Sequence, residues 1–109
     1  MRVAIKEPMQ ELKVVDMEVN LSSLQHTVSG FIENIYIEGL SERKIVCYGN
    51  EEAKILELEP NFQLVMDGKV YDIVCGTVIF VGDDGEGGDK SLRRYNVEAI
   101  RNYLDKWSV

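Results

Sequence analysis

The dipeptide Asp67-Gly68 constrains the fold of this chain more than any other short feature, because it separates two strand-like segments. Residues 62–66 (FQLVM) and 69–74 (KVYDIV) combine apolar and β-branched side chains, which is typical of strands. A two-residue type I′ turn needs positive φ at both of its residues, and Asp-Gly tolerates that conformation. The sequence therefore predicts an antiparallel hairpin over residues 62–74.

Further strand-like segments lie on both sides of this hairpin. They are short, partly alternating in polarity and bounded by turn-forming residues. The apolar run of the hairpin continues to Val81, and Gly76 within it indicates a bulge or the close approach of another backbone. Residues 49–54 are predicted to form a polar turn. The remaining predicted strands are residues 2–6 and 11–19, which pair as a hairpin, and residues 31–38 and 43–48.

Two segments have the spacing of amphipathic helices, with apolar residues recurring at intervals of three and four positions. Asn20 or Ser22 is the predicted N-cap of the first helix, with Ser22 and Gln25 at the spacing of a capping box, and Gly30 is expected to end it. Asn96 is the predicted N-cap of the second helix. The predicted core-facing residues are Leu21, Leu24 and Val28 in the first helix and Val97, Ile100, Leu104 and Trp107 in the second.

These elements predict an α+β fold in a single domain, residues 1–109. The strands do not alternate with long helices, so parallel βαβ units are not indicated. We expect a mainly antiparallel sheet of about five to seven short strands with two helices on one face.

The charge of the chain is negative and unevenly distributed. The net charge is −7, and residues 33–89 carry thirteen acidic against four basic side chains, which gives −9. Such a surface repels nucleic-acid phosphates, so we predict no direct nucleic-acid binding and a basic protein as partner. No apolar run approaches the length of about 18 residues that a membrane span needs. We therefore expect a cytoplasmic protein without membrane contact, either a monomer or a small homo-oligomer.

The chain has few of the side chains that build catalytic or metal sites. Cys47 and Cys75 lie in apolar segments and are predicted to be reduced, buried thiols. The only histidine, His26, lies away from the apolar side of its helix and is predicted to face solvent. The sequence therefore predicts no metal site, no cofactor and no catalytic residue, and it favours a protein that is not an enzyme.

The segment DDGEGGD (residues 83–89) invites comparison with calcium-binding loops. An EF-hand loop needs oxygen ligands at its first, third and fifth positions. Glycine occupies at least one of these positions whether the count begins at Asp83 or at Asp84. We therefore favour a flexible acidic connection from a buried strand to a helix over a cation site.

Several segments in this order resemble a family of uncharacterised proteins. They are LSSLQHTVSGFIENIYI (residues 21–37), NEEAKILELEPN (50–61) and YDIVCGTVIFVGDDGEG (71–87), followed by the amphipathic terminal helix. Together they resemble the DUF3846 family, small proteins of bacteria, phages and mobile elements. The most specific pieces are Asn50-Glu51-Glu52 and the run from Asp72 to Gly82. The resemblance implies no activity, and it suggests an accessory protein of a phage or mobile element.

The sequence favours a non-enzymatic module that binds through acidic loops or an exposed sheet edge. One alternative is an inhibitor that imitates DNA with rows of carboxylates facing a basic DNA-binding enzyme. The other is a small ligand-binding or enzymatic domain, and a concave pocket holding Asp72 and Asn50 would favour it. Such a domain would use Asn50, Glu51, Asp72 and Thr77 for binding or catalysis. The full set of candidate binding residues is Asn50, Glu51, Glu52, Asp72, Thr77, Asp83, Asp84 and Glu86.

Overall fold

The computed structural model describes residues 1–109, which form eight strands, two α-helices and one turn of 3₁₀ helix at Ser41–Arg43. The first half contains β1 (Arg2–Lys6), β2 (Lys13–Asp16), α1 (Leu21–Val28), β3 (Ile32–Ile35) and β4 (Ile45–Asn50). The second half contains β5 (Pro60–Met66), β6 (Lys69–Cys75), β7 (Val78–Asp83), β8 (Asp89–Lys90) and α2 (Arg94–Trp107). Neither α-helix has the length and apolar character that a membrane crossing requires.

All strand pairs are antiparallel, which confirms the predicted α+β class. The main sheet has six strands. Five of them follow the order β2-β1-β7-β4-β3, and the short sixth strand, β8, pairs with the end of β7. The predicted hairpin is also confirmed, since β5 and β6 pair around Asp67 (φ 51°) and Gly68 (φ 77°). This hairpin forms a second, two-stranded sheet of its own.

The two helices lie on opposite faces of the main sheet, so the prediction that both cover one face is wrong. Val78 and Phe80 of β7 belong to the larger core, which includes α2 and the β5–β6 hairpin. Ile79 and Val81, which alternate with them, pack with α1 in a smaller core. Because successive side chains of a strand point to opposite faces, an uninterrupted apolar strand needs cover on both sides. The run VIFV in β7 therefore places one helix on each face.

The larger core joins the hairpin to α2. The ring of Phe62 lies 6.3 Å from that of Phe80 and meets the ring of Tyr103 edge-on at 6.1 Å. Ile100 and Leu104 of α2 are buried in the same cluster, as predicted, while Val97 and Trp107 are half-buried. The amphipathic side of α2 thus closes this core.

The ends of α1 differ in detail from the prediction. Asn20 is the N-cap, and its Oδ1 accepts the backbone N–H of Ser23 at 2.9 Å, so the capping pair is Asn20 and Ser23. Ser29, with φ 62°, takes the left-handed conformation predicted for Gly30. Leu21 is 60% exposed, because it lies in the first turn beyond the contact with the sheet.

The start of α2 also differs from the prediction. Its N-cap is Arg93, and Asn96 lies three residues further along, within the first turn, where it is buried. The Oδ1 of Asn96 accepts the backbone N–H of Arg93 at 2.9 Å, so the side chain still binds the helix start from inside the first turn.

A buried polar cluster around Asn61 ties the hairpin to the main sheet. The Nδ2 of Asn61 donates to the carbonyls of Lys6 (2.9 Å) and Gly76 (2.8 Å), and its Oδ1 accepts the Lys6 ammonium at 3.1 Å. Burial lowers the pKa of Lys6. The backbone N–H of Gly76 donates to the Glu59 carbonyl at 2.8 Å. A β-carbon on Gly76 would meet the side chain of Leu58, so the close neighbour at this glycine is a side chain and not the backbone that the sequence offered as one alternative. With φ +80°, Gly76 turns the chain from the hairpin into the main sheet.

Candidate functional site

The structure separates the predicted site residues into two groups at opposite ends of β4. Asn50 is the last residue of β4, and Glu51 follows it. The loop that holds Asp84 lies at the other end, where the N–H of Asp83 donates to the carbonyl of Lys44 at 2.9 Å, just before β4 begins. A strand of this length spans about 17 Å. One site cannot contain both groups.

A cleft of about 250 Å³ lies where β3, the end of β4, residues 51–55 and β6 meet. Its floor is apolar and includes Ile35, Leu64 and Val74. Its charged lining residues are three acids, Glu33, Glu51 and Asp72, and one base, Lys54. Asn50 also lines the cleft, so the structure places Asn50, Glu51 and Asp72 together in one concavity.

Asn50 is a buried structural clamp, not a residue of a solvated turn. Its Nδ2 donates to the carbonyls of Val28 (3.1 Å) and Ser29 (3.3 Å), which are the last carbonyls of α1. Its Oδ1 accepts the backbone N–H of Glu52 at 2.8 Å. The amide group is therefore used up within the fold, where it connects α1 to the wall of the cleft.

Asp72 binds two donors on the wall of the cleft. Its Oδ1 accepts the ammonium of Lys54 and the backbone N–H of Ile73 (2.8 Å). The bond from Lys54, followed by the one from Ile73, lowers the pKa of Asp72, and the bond to Asp72 raises the pKa of Lys54. Both side chains are substantially exposed, so solvent screens the pair and its effect on stability is small.

Asp72 also covers a backbone group at the outer edge of β6. Gln63 pairs with Ile73 in the hairpin, and the carbonyl of Gln63 points away from β6 to accept the Tyr103 hydroxyl at 2.7 Å. An outward carbonyl marks Gln63 and Ile73 as a non-hydrogen-bonded pair of the antiparallel ladder. Both residues of a non-hydrogen-bonded pair direct their N–H and carbonyl groups away from the partner strand. The N–H of Ile73 therefore faces the free edge of β6, where the carboxylate of Asp72 occupies it.

Glu33 and Glu51 are the unpaired charges of the cleft. Both side chains are exposed, and neither carboxylate makes a hydrogen bond or ion pair within the chain. The backbone N–H of Glu51 donates to the carbonyl of Phe31 at 2.9 Å, which extends the β3–β4 ladder by one step and holds Glu51 beside the cleft. With Asp72 bound to Lys54, the net charge of the lining comes from these two glutamates.

The other five predicted site residues, which include Asp83 and Asp84, lie outside the cleft. Thr77 is half-buried at the junction of β6 and β7, and Glu52 is exposed and does not line the cleft. Glu86 lies in the distant loop between β7 and β8. Of the four residues assigned from the sequence to a ligand-binding or enzymatic site, the cleft therefore holds Asn50, Glu51 and Asp72 but not Thr77.

The acidic segment 83–89 connects two strands in a hairpin, so the prediction of a strand-to-helix connection is wrong. Gly85 and Gly87 both have positive φ, and they reverse the chain so that β8 pairs with β7. The Oδ1 of Asp84 accepts the backbone N–H groups of Glu86 (2.7 Å) and Gly88 (2.9 Å), which lowers the pKa of Asp84. Asp83 similarly accepts the N–H of Gly85 at 2.8 Å. No group of three His, Cys, Asp or Glu side chains is arranged to hold a metal ion.

The sequence reasoning missed Glu33 and Lys54. Glu33 alternates with Ile32 along β3, so its side chain leaves the α1 side and points toward the cleft, a pattern visible in FIENIYIE. The sequence predicts only a polar turn at Lys54, and its partner Asp72 lies far along the chain in β6. Nothing local indicates that contact.

Of the two cysteines and the single histidine, only Cys75 lines the cleft. Cys47 is buried, and burial raises the pKa of its thiol. Cys75 is half-buried on the wall of the cleft, so the prediction of a buried thiol holds only for Cys47. His26 is exposed, as predicted.

Two antiparallel sheets, a helix on either face of the larger sheet and an acidic cleft between the sheets define a small α+β domain. The chain belongs to the family described as "Domain of unknown function (DUF3846)", whose sequence profile matches residues 1–108. This match confirms the resemblance seen in the sequence. No curated protein and no solved structure matches the chain.

Proposed function

We propose that this protein is a non-enzymatic interaction module whose cleft receives a cationic side chain of a basic protein. The observation that carries the proposal is the pair of free carboxylates, Glu33 and Glu51, beside an apolar floor. Lysine and arginine bury an aliphatic stem while their charged heads keep polar partners. An apolar floor with carboxylates beside it matches both parts of such a side chain.

The size of the cleft supports a side chain rather than a cofactor. Sites for small molecules typically enclose about 300–1,000 Å³, and this cleft measures about 250 Å³. The net charge of −9 over residues 33–89 supports the same class of partner, because a negative field attracts a basic protein and speeds its association.

The two alternatives have weaker support. A concave pocket that holds Asp72 and Asn50 favours ligand binding, but the amide of Asn50 is occupied and Thr77 lies elsewhere, so a catalytic role has less support than a binding role. A DNA mimic needs carboxylates free to replace phosphates, whereas Asp83 and Asp84 both accept N–H groups of their own loop. An accessory role in a phage or mobile element stays a prediction on which neither the fold nor the cleft bears.

The proposal is tested by titrating the protein with N-acetyl-arginine amide and following backbone amide shifts by NMR. The matched comparison ligand is N-acetyl-citrulline amide, which has nearly the same shape without the charge. We expect weak, saturable shifts around Glu33, Glu51 and Ile73 with the arginine compound alone.

Charge-removing variants provide the controls for this titration. Glu33→Gln and Glu51→Gln should each weaken binding, whereas Glu52→Gln, in the same exposed turn but outside the cleft, should leave it unchanged. Equal binding of the citrulline compound, or an equal effect of Glu52→Gln, would refute a cation site in the cleft.

A further inference from the structure

We propose that the cationic side chain reaches the cleft on an extended segment of the partner, which adds as a strand to the outer edge of β3. This inference rests on the proposed function and specifies how the partner binds. Addition of a strand to an open sheet edge is a common mode of peptide recognition, in which backbone hydrogen bonds give affinity and alternate side chains give specificity.

The register of β3 shows which of its backbone groups are free. The N–H of Glu51 donates to the carbonyl of Phe31, so this is a hydrogen-bonded pair of the antiparallel ladder. Such pairs alternate with non-bonded ones, which makes Glu33↔Gly49 bonded and both Ile32↔Asn50 and Asn34↔Tyr48 non-bonded. Ile32 and Asn34 therefore direct their N–H and carbonyl groups away from β4. No group of the chain binds them, because β3 is the last strand of the main sheet.

The same strand positions the acidic side chains for an incoming segment. The side chains of Glu33 and Ile35 lie on the cleft side of β3. Glu33 stands between Ile32 and Asn34, whose backbone groups are free, and Ile35 follows Asn34. An added strand has the same two-residue period, so every second side chain of the partner would point into the cleft. Basic residues at alternate positions would meet Glu33 and Glu51, while the positions between them would remain outside the cleft.

The other edge at the cleft is less suited to strand addition. The outward N–H of Ile73 on β6 is already occupied by Asp72. A second copy of this chain is also a poor occupant, because pairing β3 with its own copy would bring Glu33 of each close to the other and juxtapose two acidic surfaces. A basic, extended segment satisfies both the edge and the charge.

The experiment uses the full chain and a fluorescent, N-acetylated and C-amidated peptide in which three lysines alternate with valines. The comparison peptide has the same composition with its lysines in one block. Binding is measured by fluorescence anisotropy, and protection of the Ile32 and Asn34 amides is measured by hydrogen exchange. We expect tighter binding of the alternating peptide and slower exchange of both amides in its presence.

Two variants at one position separate backbone pairing from side-chain contacts. Asn34→Pro removes an outward N–H without breaking the β3–β4 ladder, since proline is tolerated at such edge positions. It should weaken binding about tenfold, the loss expected for one hydrogen bond together with the bulk of the ring. Asn34→Ala keeps the backbone N–H and should bind as the unmodified protein does.

The outcomes distinguish this inference from the proposed function. If the peptide binds while the Ile32 and Asn34 amides stay unprotected and Asn34→Pro binds it with unchanged affinity, strand addition is overturned. If Glu33→Gln then loses that binding, the cation site still stands. Absence of peptide binding overturns strand addition as well, and the arginine-amide titration then decides the cation site on its own. A dimer of the free protein protected at the same two amides would assign the edge to a second copy and overturn the proposal.

Discussion

A β-carbon built on Gly30 would lie 2.6 Å from the Nδ2 of Asn50, so these two residues leave no room for any side chain between them. The contact brings Asn50 against the end of α1, where it binds the carbonyls of Val28 and Ser29. Glycine is required at position 30 by this close approach, while the left-handed turn that usually calls for glycine is made by Ser29.

Gly30→Ala should therefore destabilise the fold by about 1–3 kcal/mol, the usual cost of inserting a group into a packed site. Ser29→Gly, one residue earlier, should have the opposite sign and add about 0.5–1 kcal/mol, because glycine adopts positive φ without strain. Urea unfolding of both variants measures the two free energies. Equal destabilisation by the two substitutions would contradict this account.

Leu104→Ala should destabilise the fold by about 2–5 kcal/mol, because it opens a cavity where α2 closes the larger core. Leu104 is 4% exposed, whereas Tyr95 on the same helix is 61% exposed. Tyr95→Ala is the matched control, with an expected change within about 0.5 kcal/mol. Similar melting temperatures for the two variants would show that α2 does not dock on the sheet.

Asn61→Ala should cost about 2–4 kcal/mol, because it removes the donor to two buried carbonyls and leaves the Lys6 ammonium with only the Glu7 carbonyl as acceptor. Asn34→Ala removes the same amide from an exposed position on β3 and should change the free energy of unfolding little. Chemical denaturation compares the two. A small effect at position 61 would mean that water replaces the Asn61 amide without cost.

Asp72→Asn should lower stability by less than about 1 kcal/mol at neutral pH, because the Lys54 pair is exposed. The pKa of Asp72 is lower in the fold than in the unfolded chain. Its contribution is therefore fully present above the unfolded value of about 3.9 and is lost as the pH falls through the folded pKa. Urea unfolding near neutral pH and again below the folded pKa should show the difference between the two proteins shrinking in acid. Lys54→Met should cause a similar loss at neutral pH, with little further effect in the double variant.

Millimolar calcium or magnesium should leave the melting temperature unchanged, because the carboxylates of Asp83 and Asp84 are bound to N–H groups of their own loop. A cation present at a hundred times its dissociation constant would add about 2.7 kcal/mol, which a thermal melt detects. An increase that disappears in Asp83→Asn and Asp84→Asn would establish a cation site in this loop.

Elements defined by local chemistry were predictable from the sequence. The Asp67-Gly68 turn and the amphipathic spacing of α2 each depend on a few neighbouring residues, and both are confirmed. The sequence predicts one strand from Lys69 to Val81, whereas the turn at Gly76 divides this run between two sheets. Without that turn, the sequence indicates neither the second sheet nor the cover on two faces of β7.

The candidate site was only partly predictable for the same reason. Asn50, Glu51 and Asp72 are candidate site residues in the sequence because they are polar and border apolar segments, and all three line the cleft. Glu33 and Lys54 join them only through contacts between segments far apart in the chain. Those contacts depend on how the hairpin packs over β3 and β4, and no local pattern encodes that packing.

The position of β7 in the main sheet has a consequence for how the protein is made. β7 lies between β1 and β4, so it is the strand that joins the two hairpins of the first half of the chain. A nascent chain on the ribosome can form β1–β2 and β3–β4 early, but these hairpins have no shared neighbour until residues 78–83 have emerged. α1 can cover one face of these hairpins early, but the other face stays exposed until the β5–β6 hairpin and α2 have been made. Because such non-local pairings make folding slow and expose apolar surface in the meantime, completion of the sheet depends on the synthesis of residues 78–83.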